Sequence, residues 1–183
     1  MEETNQQPTL VNHAVKWGAI CGALSIFFTI MLYIIDYTMM VQLKFLFSFL
    51  AVYLGVTIYA GINYRGLQGP YLPYGKAFLH GFIVLAVSGL IATFWNAILY
   101  NLVDTELPQK LVDASMENTR AMMENFGAPA DTIDTELAKA EERTRNQFTL
   151  SGQALGYGII LIVSAVMALI SSIFVKRNEP ISM

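Results

Sequence analysis

Four long apolar runs, separated by shorter polar stretches, dominate the pattern of this chain. Residues 17–35, 45–64, 77–103 and 148–175 contain no Lys, Arg, Asp or Glu. A helix needs ~20 apolar residues to cross a bilayer, and each run meets or approaches that length. The pattern predicts an all-α fold: a polytopic membrane protein forming a single membrane domain over 1–183, with transmembrane helices at about 15–35, 45–64, 77–103 and 148–175.

The polar residues between the third and fourth runs predict an extramembrane helical hairpin. Residues 104–147 hold 15 of the chain's 25 charged side chains. Gly127 and Pro129 divide this insert into two arms, because a C-cap glycine followed by proline is typical of a helix end. Asp131 is the expected N-cap of the second arm. Since neither Gly nor Pro interrupts the junction with the fourth span, one continuous helix is expected over 132–175.

The second arm carries a regular apolar seam. Ile133, Leu137 and Ala140 follow one another at spacings of four and three residues, which is typical of a helix that packs along a partner. Glu141 and Arg145 stand four residues apart in the favourable order for an ion pair. A kink is expected over 103–108, where the third span meets the first arm.

Short polar connections complete the predicted topology. Residues 36–44 join the first two spans, and Asp36 and Lys44 are expected to lie at the same membrane face, where they could pair. Residues 63–76 contain two prolines and three glycines, which predicts a loop. This loop is either a phosphate-binding turn or an interfacial loop, and the missing P-loop pattern favours the second interpretation. Residues 1–13 are expected to form a loose polar tail.

Two polar side chains fall within the third run. His80 is an ionisable group in a predicted span, and such groups are functional candidates. It lies one turn from Lys76, however, which favours a histidine at the membrane interface. Asn96 is expected to form a hydrogen bond across helices. Both are weak candidates for an intramembrane site.

Two glycine pairs have the spacing that lets helix backbones approach closely. Gly18 and Gly22 lie in the first span, and Gly152 and Gly156 lie in the fourth. Both pairs are predicted helix-packing positions, with a neighbour either in this chain or in a second copy.

Composition and motifs argue against several classes of function. A net charge of −3, with scattered basic residues, gives no indication of a nucleic-acid partner. Cys21 is the single cysteine, so no intramolecular disulfide is possible. The chain has two histidines and none of the HExxH, GxSxG or CxxC motifs, so no enzyme, catalytic residue, cofactor or metal site is predicted.

The predicted function is therefore that of a non-enzymatic accessory or interaction protein, with membrane lipid around its spans. Met122, Met123 and Phe126 near the hairpin tip are possible contact residues for a partner protein or a second copy, although a simple spacer remains open. A small transporter or channel subunit is the alternative function. The distribution of Lys and Arg among the loops favours cytoplasmic termini and a hairpin on the opposite side.

Several segments resemble a known family of membrane proteins. They are Tyr64-Arg65, the segment from Tyr74 to Phe78, Tyr100 with Asp104, and the Met- and Glu-rich arm that ends at Gly127. In these segments the chain resembles the bacterial four-span integral-membrane domain-of-unknown-function family numbered forty-one ninety-nine. The resemblance implies a multi-pass protein of the bacterial cytoplasmic membrane and carries no activity.

Overall fold

The computed structural model describes residues 8–179, and these residues form an all-helical protein. Six α-helices follow one another as α1 (Leu10–Asp36), α2 (Leu43–Gln68), α3 (Tyr74–Ile98), α4 (Leu107–Asn125), α5 (Ala130–Gln147) and α6 (Leu150–Val175). A 3₁₀ turn at Tyr37–Val41 extends α1, and a π-helical turn at Leu99–Val103 extends α3. Four segments are long and apolar enough to cross a membrane: Leu10–Val41, Leu43–Gln68, Tyr74–Val103 and Leu150–Val175. The prediction of a four-span, all-α membrane protein with two helices inserted after the third span is confirmed.

The spans reach further than the apolar runs indicated. Helix α1 begins at Leu10, so the last residues of the predicted tail are helical; residues 1–7 lie outside the described part. Helix α2 continues to Gln68, which shortens the predicted loop to residues 69–73. In that loop Gly69 has φ +121°, a conformation that L side chains rarely adopt. Each helix continues into polar residues beyond its apolar run, because the backbone hydrogen bonds of a helix do not require apolar side chains.

The connection between α1 and α2 differs from the expected ion pair. The carboxylate of Asp36 accepts hydrogen bonds from the backbone N–H of Thr38, at 2.9 Å, and from its hydroxyl, at 2.7 Å. The Lys44 ammonium lies over the ring of Phe45 instead. Asp36 therefore caps the 3₁₀ turn and does not pair with Lys44.

The described chain divides into two compact units. The first contains residues 8–25, 50–91 and 159–179, and the second contains residues 26–49 and 92–158. In the first unit, glycines allow close helix contacts. A Cβ added to Gly61 on α2 would lie 2.7 Å from a methyl group of Val175, and one on Gly81 of α3 would lie 3.0 Å from the Ser171 hydroxyl.

In the second unit, α4 and α5 pack as the predicted hairpin. Its buried apolar side chains are Leu107, Leu111, Val112 and Ala114 from α4, with Ile133 and Leu137 from α5. Gly127 ends the first arm with φ +75°, as expected of a C-cap glycine. The predicted Glu141–Arg145 ion pair forms at 2.9 Å. Asp131 is not the N-cap: Pro129 takes that position, and Asp131 lies in the first turn of α5.

The expected continuous helix over 132–175 is wrong. Helix α5 ends at Gln147 and α6 begins at Leu150. The Thr149 hydroxyl accepts a hydrogen bond from the backbone N–H of Gly152 at 3.0 Å, which starts a new helix. The backbone of Gly152 also passes so close to the carbonyl oxygen of Asn146 that a Cβ there would collide with it.

A buried histidine pair as the candidate functional site

The two histidines of the chain contact each other in the first unit. His13 lies on α1 and His80 on α3, 67 residues apart in the sequence, with His13 Nδ1 2.9 Å from His80 Nε2. The His80 side chain has 0% solvent exposure, and His13 is also buried. A direct contact between buried imidazoles places a titratable pair inside the helices that span the membrane.

A third helix completes the hydrogen-bonded chain. The Asn63 Oδ1 atom on α2 lies 3.0 Å from His13 Nε2. With the amide in this orientation, His13 Nε2 carries the hydrogen and donates it to Asn63. The neutral His13 ring then accepts at Nδ1 from the Nε2–H of His80. Among the described residues, His80 Nδ1 has no hydrogen-bond partner.

Aromatic rings enclose the pair. The Tyr64 ring stacks on the His80 ring, with ring centroids 5.1 Å apart and an interplanar angle of 16°. The centroid of the Tyr64 ring also lies 5.2 Å from the centroid of the His13 ring. Trp17, one turn after His13 on α1, lies 6.3 Å from the His13 ring. These rings pack against the two imidazoles, which are buried from solvent.

The donor set suits protons better than metals. Within residues 8–179, no group of three or more His, Cys, Asp or Glu side chains could hold a metal ion. The hydrogen bond between the two imidazoles needs one N–H donor and one lone-pair acceptor. The pair can therefore carry at most one positive charge while this hydrogen bond exists.

The structure buries His80 completely and places it against His13, a contact that the sequence did not predict, whereas its position at the membrane interface stays a prediction. Sequence reasoning also missed His13, which it placed in the polar tail, and Asn63, which it placed in a loop. One signal was available: His13 precedes Trp17 by four residues, so both share a face of an α1 that starts earlier than the apolar run.

A second polar cluster fixes the base of the hairpin in the second unit. The Tyr33 hydroxyl donates to Asp104 Oδ2 at 3.0 Å, while Asp104 Oδ1 accepts from the backbone N–H groups of Glu106 and Leu107, each at 3.0 Å. Lys110 lies 3.8 Å from the same carboxylate. Desolvation alone would raise the pKa of Asp104, but the hydrogen bonds from Tyr33 and the backbone, together with the charge of Lys110, lower it.

The tip of the hairpin exposes apolar side chains. Phe126 is 84% exposed and Met122 is 44% exposed, whereas Met123 is half-buried. Thus Phe126 and Met122, two of the predicted contact residues, present apolar surface that the hairpin core does not use.

The remaining candidates have different surroundings. In the first unit, a Cβ on Gly18 would lie 2.7 Å from the Val87 Cβ, and one on Gly22 would lie 2.8 Å from atoms of Ile91, so α1 and α3 approach closely there. A Cβ on Gly152 would collide with the backbone of Asn146, just before α6, whereas a Cβ on Gly156 would meet no described atom within 4 Å. In the second unit, the half-buried Asn96 lines a cavity of about 200 Å³.

Comparison with known protein families gives a match over most of the chain. Residues 16–177 match the model of a family described as a protein of unknown function (DUF4199). The comparison with curated proteins found no match, and neither did the comparison with solved structures.

Proposed function

The chain belongs to the family of proteins of unknown function DUF4199, and we propose that it is a non-enzymatic membrane protein whose hairpin binds another protein chain through its tip. The single observation that carries this proposal is the exposure of Phe126 and Met122 at the end of the hairpin. Large exposed apolar side chains are typical of contact surfaces when they cluster at one place.

The hairpin does not need its tip residues to hold its arms together. The arms bury Leu111 and Val112 on one side and Ile133 and Leu137 on the other, and none of these is one of the exposed tip residues. The Arg120 guanidinium also donates to the Asp134 carboxylate across the arms at 2.7 Å. The apolar surface at the tip is thus additional to the core, and methionine adapts easily to the shape of a partner.

The base of the hairpin supports the same proposal. Asp104 accepts hydrogen bonds from Tyr33 on α1 and from the first turn of α4, and in this way attaches the first arm to a transmembrane helix. An arm held at its base keeps its tip in a defined position, which lowers the entropy lost on binding.

In-cell photo-crosslinking tests the proposal. A photoreactive residue replaces Met123 in the full-length protein, and a matched control carries it at Glu142, an exposed position on α5 away from the tip. We expect a discrete product from position 123 that is absent from position 142. Phe126→Ser should remove the product while circular dichroism shows an unchanged helix content.

The mass of the crosslinked product distinguishes a different partner protein from a second copy of this chain. A single heterologous product makes the chain an accessory subunit, and a product of twice the monomer mass makes the hairpin a self-association device. Equal labelling from both positions, or none from either, contradicts the proposal and leaves the hairpin as a spacer.

A small transporter or channel subunit is the second candidate, and the buried polar side chains of the first unit favour it. The hydroxyls of Thr57 and Ser171 are buried, but each donates to a backbone carbonyl of its own helix. His80 is different because its Nδ1 atom has no partner in the described chain. Flux of ions or solutes into liposomes containing the protein, above that of empty liposomes and lost in His80→Gln, would support this function.

A further inference from the structure

We infer that His13, His80 and Asn63 form a binding site for a single proton within the membrane-spanning helices. The site goes beyond the proposed contact through the hairpin and does not depend on it. It rests on three observations: the Nδ1–Nε2 contact of 2.9 Å, the Asn63 oxygen on the other side of His13, and the absence of a described partner for His80 Nδ1.

The proton has one place to bind. In the neutral pair, His80 donates from Nε2 to His13, and His13 donates from Nε2 to Asn63, so the remaining lone pair lies on His80 Nδ1. A proton that binds there forms a new N–H bond and makes His80 an imidazolium without breaking any of the existing hydrogen bonds. The hydrogen bond to the neutral His13 ring becomes charge-assisted and therefore stronger.

A second proton does not fit. It would bind to His13 Nδ1, and two N–H groups would then face each other across 2.9 Å. Two like charges at that distance in a buried site repel strongly. The pair should therefore take up one proton per chain, although it contains two histidines.

The charged groups around the pair do not neutralise it. The titratable side chain in ring contact with both histidines is Tyr64 from α2. Lys16 on α1 and Lys76 on α3 lie one turn from the pair along their helices, and Arg65 on α2 donates to the carbonyl oxygen of Val175 on α6. Glu179 is the sole acidic residue among the described residues of the first unit, and it is exposed.

Because of Asn63, the site can bind a proton but cannot pass it on to another group at the Asn63 end. Its amide oxygen accepts the hydrogen of His13 but releases no proton to a further group. A bound proton therefore enters and leaves through His80 Nδ1. Because the three side chains lie on α1, α2 and α3, proton binding changes the hydrogen bonds that join these helices.

Nitrogen NMR tests this site directly, because ¹⁵N-histidine labelling of the full-length protein in nanodiscs gives signals from two residues alone. We expect a scalar coupling across the hydrogen bond between His13 Nδ1 and His80 Nε2. On titration from pH 8 to lower values, we expect uptake of one proton per chain and a change of both rings at the same midpoint. Independent uptake of two protons, or both rings remaining neutral until the protein unfolds, overturns the inference.

A pair of matched variants separates proton binding from a purely structural role. Asn63→Asp places a carboxylate against His13 Nε2, so we expect the midpoint of proton uptake to move to higher pH by about 1 unit or more. Asn96→Asp makes the same change in the second unit and should leave both histidine signals unchanged. An unchanged midpoint in Asn63→Asp, with the interimidazole coupling retained, would contradict the site.

Discussion

The hydroxyl of Tyr33 donates a hydrogen bond of 3.0 Å to the carboxylate of Asp104, although the two residues lie 71 positions apart. The same carboxylate caps the start of α4 through the backbone N–H groups of Glu106 and Leu107. One side chain thus joins the first transmembrane helix to the first arm of the hairpin. Hydrogen bonds to a charged acceptor are stronger than those between neutral groups.

Tyr33→Phe should loosen this attachment without changing the apolar packing of the ring. We expect the apparent unfolding midpoint to fall by a few degrees, about 2–5 °C for a chain of this length. The measurement is thermal unfolding in detergent, with Tyr59→Phe as the control because the Tyr59 side chain is exposed. In a double-mutant cycle, Tyr33→Phe should have little further effect once Asp104 is Asn.

Acid should weaken the base of the hairpin. Hydrogen bonds and Lys110 lower the pKa of Asp104 below its ordinary value of 3.8 in the folded protein, despite the opposing effect of desolvation. A carboxyl whose pKa is lower in the folded than in the unfolded state stabilises the fold at pH values above its unfolded-state pKa. This stabilisation is lost as the pH falls through the folded-state pKa. We therefore expect α4 to loosen progressively below pH ~4, as followed by hydrogen exchange.

Asp104→Asn is the control for this pH dependence. The amide cannot titrate, so the variant should begin less stable at pH 7 and should lose the acid-dependent part of the change. An identical pH profile in the variant and the natural protein would assign the acid sensitivity to another carboxylate.

Gly152→Ala distinguishes a broken helix from a continuous one by the sign of its effect. In an uninterrupted helix, alanine is more stable than glycine by roughly 0.5–1 kcal/mol. Here the added Cβ would collide with the carbonyl oxygen of Asn146, so we expect destabilisation. Gly156→Ala, whose Cβ has no described neighbour within 4 Å, is the matched control and should be neutral or stabilising. Thermal unfolding of both variants measures the difference.

Gly18→Ala should disturb the packing of α1 on α3. Its Cβ would lie 2.7 Å from the Val87 Cβ and 2.9 Å from the Val84 carbonyl oxygen, and a backbone oxygen cannot move aside easily. Overpacking of this kind costs about 1–3 kcal/mol. Gly55→Ala on α2, with no described atom within 4 Å of its Cβ, should leave stability nearly unchanged. Equal effects at the two positions would contradict a close α1–α3 contact.

Labelling of introduced cysteines tests the orientation of the spans. Near the span ends on the side of the termini lie five basic residues, whereas the short connection between α1 and α2 has Lys44, and this bias favours the cytoplasmic face for the termini. The five residues are Lys16, Arg65, Lys76, Lys176 and Arg177. In a Cys21→Ser background, we expect a membrane-impermeant thiol reagent to label Glu142→Cys in intact cells. Glu179→Cys, near the C-terminus, should react with the reagent only after the cells are permeabilised. The reverse pattern would place the hairpin in the cytoplasm.

The sequence by itself determined the number of spans and the presence of the hairpin. These features depend on local composition: an uncharged run long enough to cross a bilayer has to be helical there, because its backbone polar groups have no water to bind. The break at Gly127 was equally local, since a glycine readily adopts the positive φ that ends a helix.

Only the tertiary structure decided the contents of the candidate site. His13 and His80 meet because α1 and α3 pack side by side, and no periodicity within either segment connects residues 67 positions apart. The sequence pattern along each span does not encode which side chains of separate helices will be neighbours after folding. The break between α5 and α6 is local by contrast, because the Thr149 hydroxyl caps α6 three residues before Gly152, and Gly152 passes close to Asn146, six residues before it.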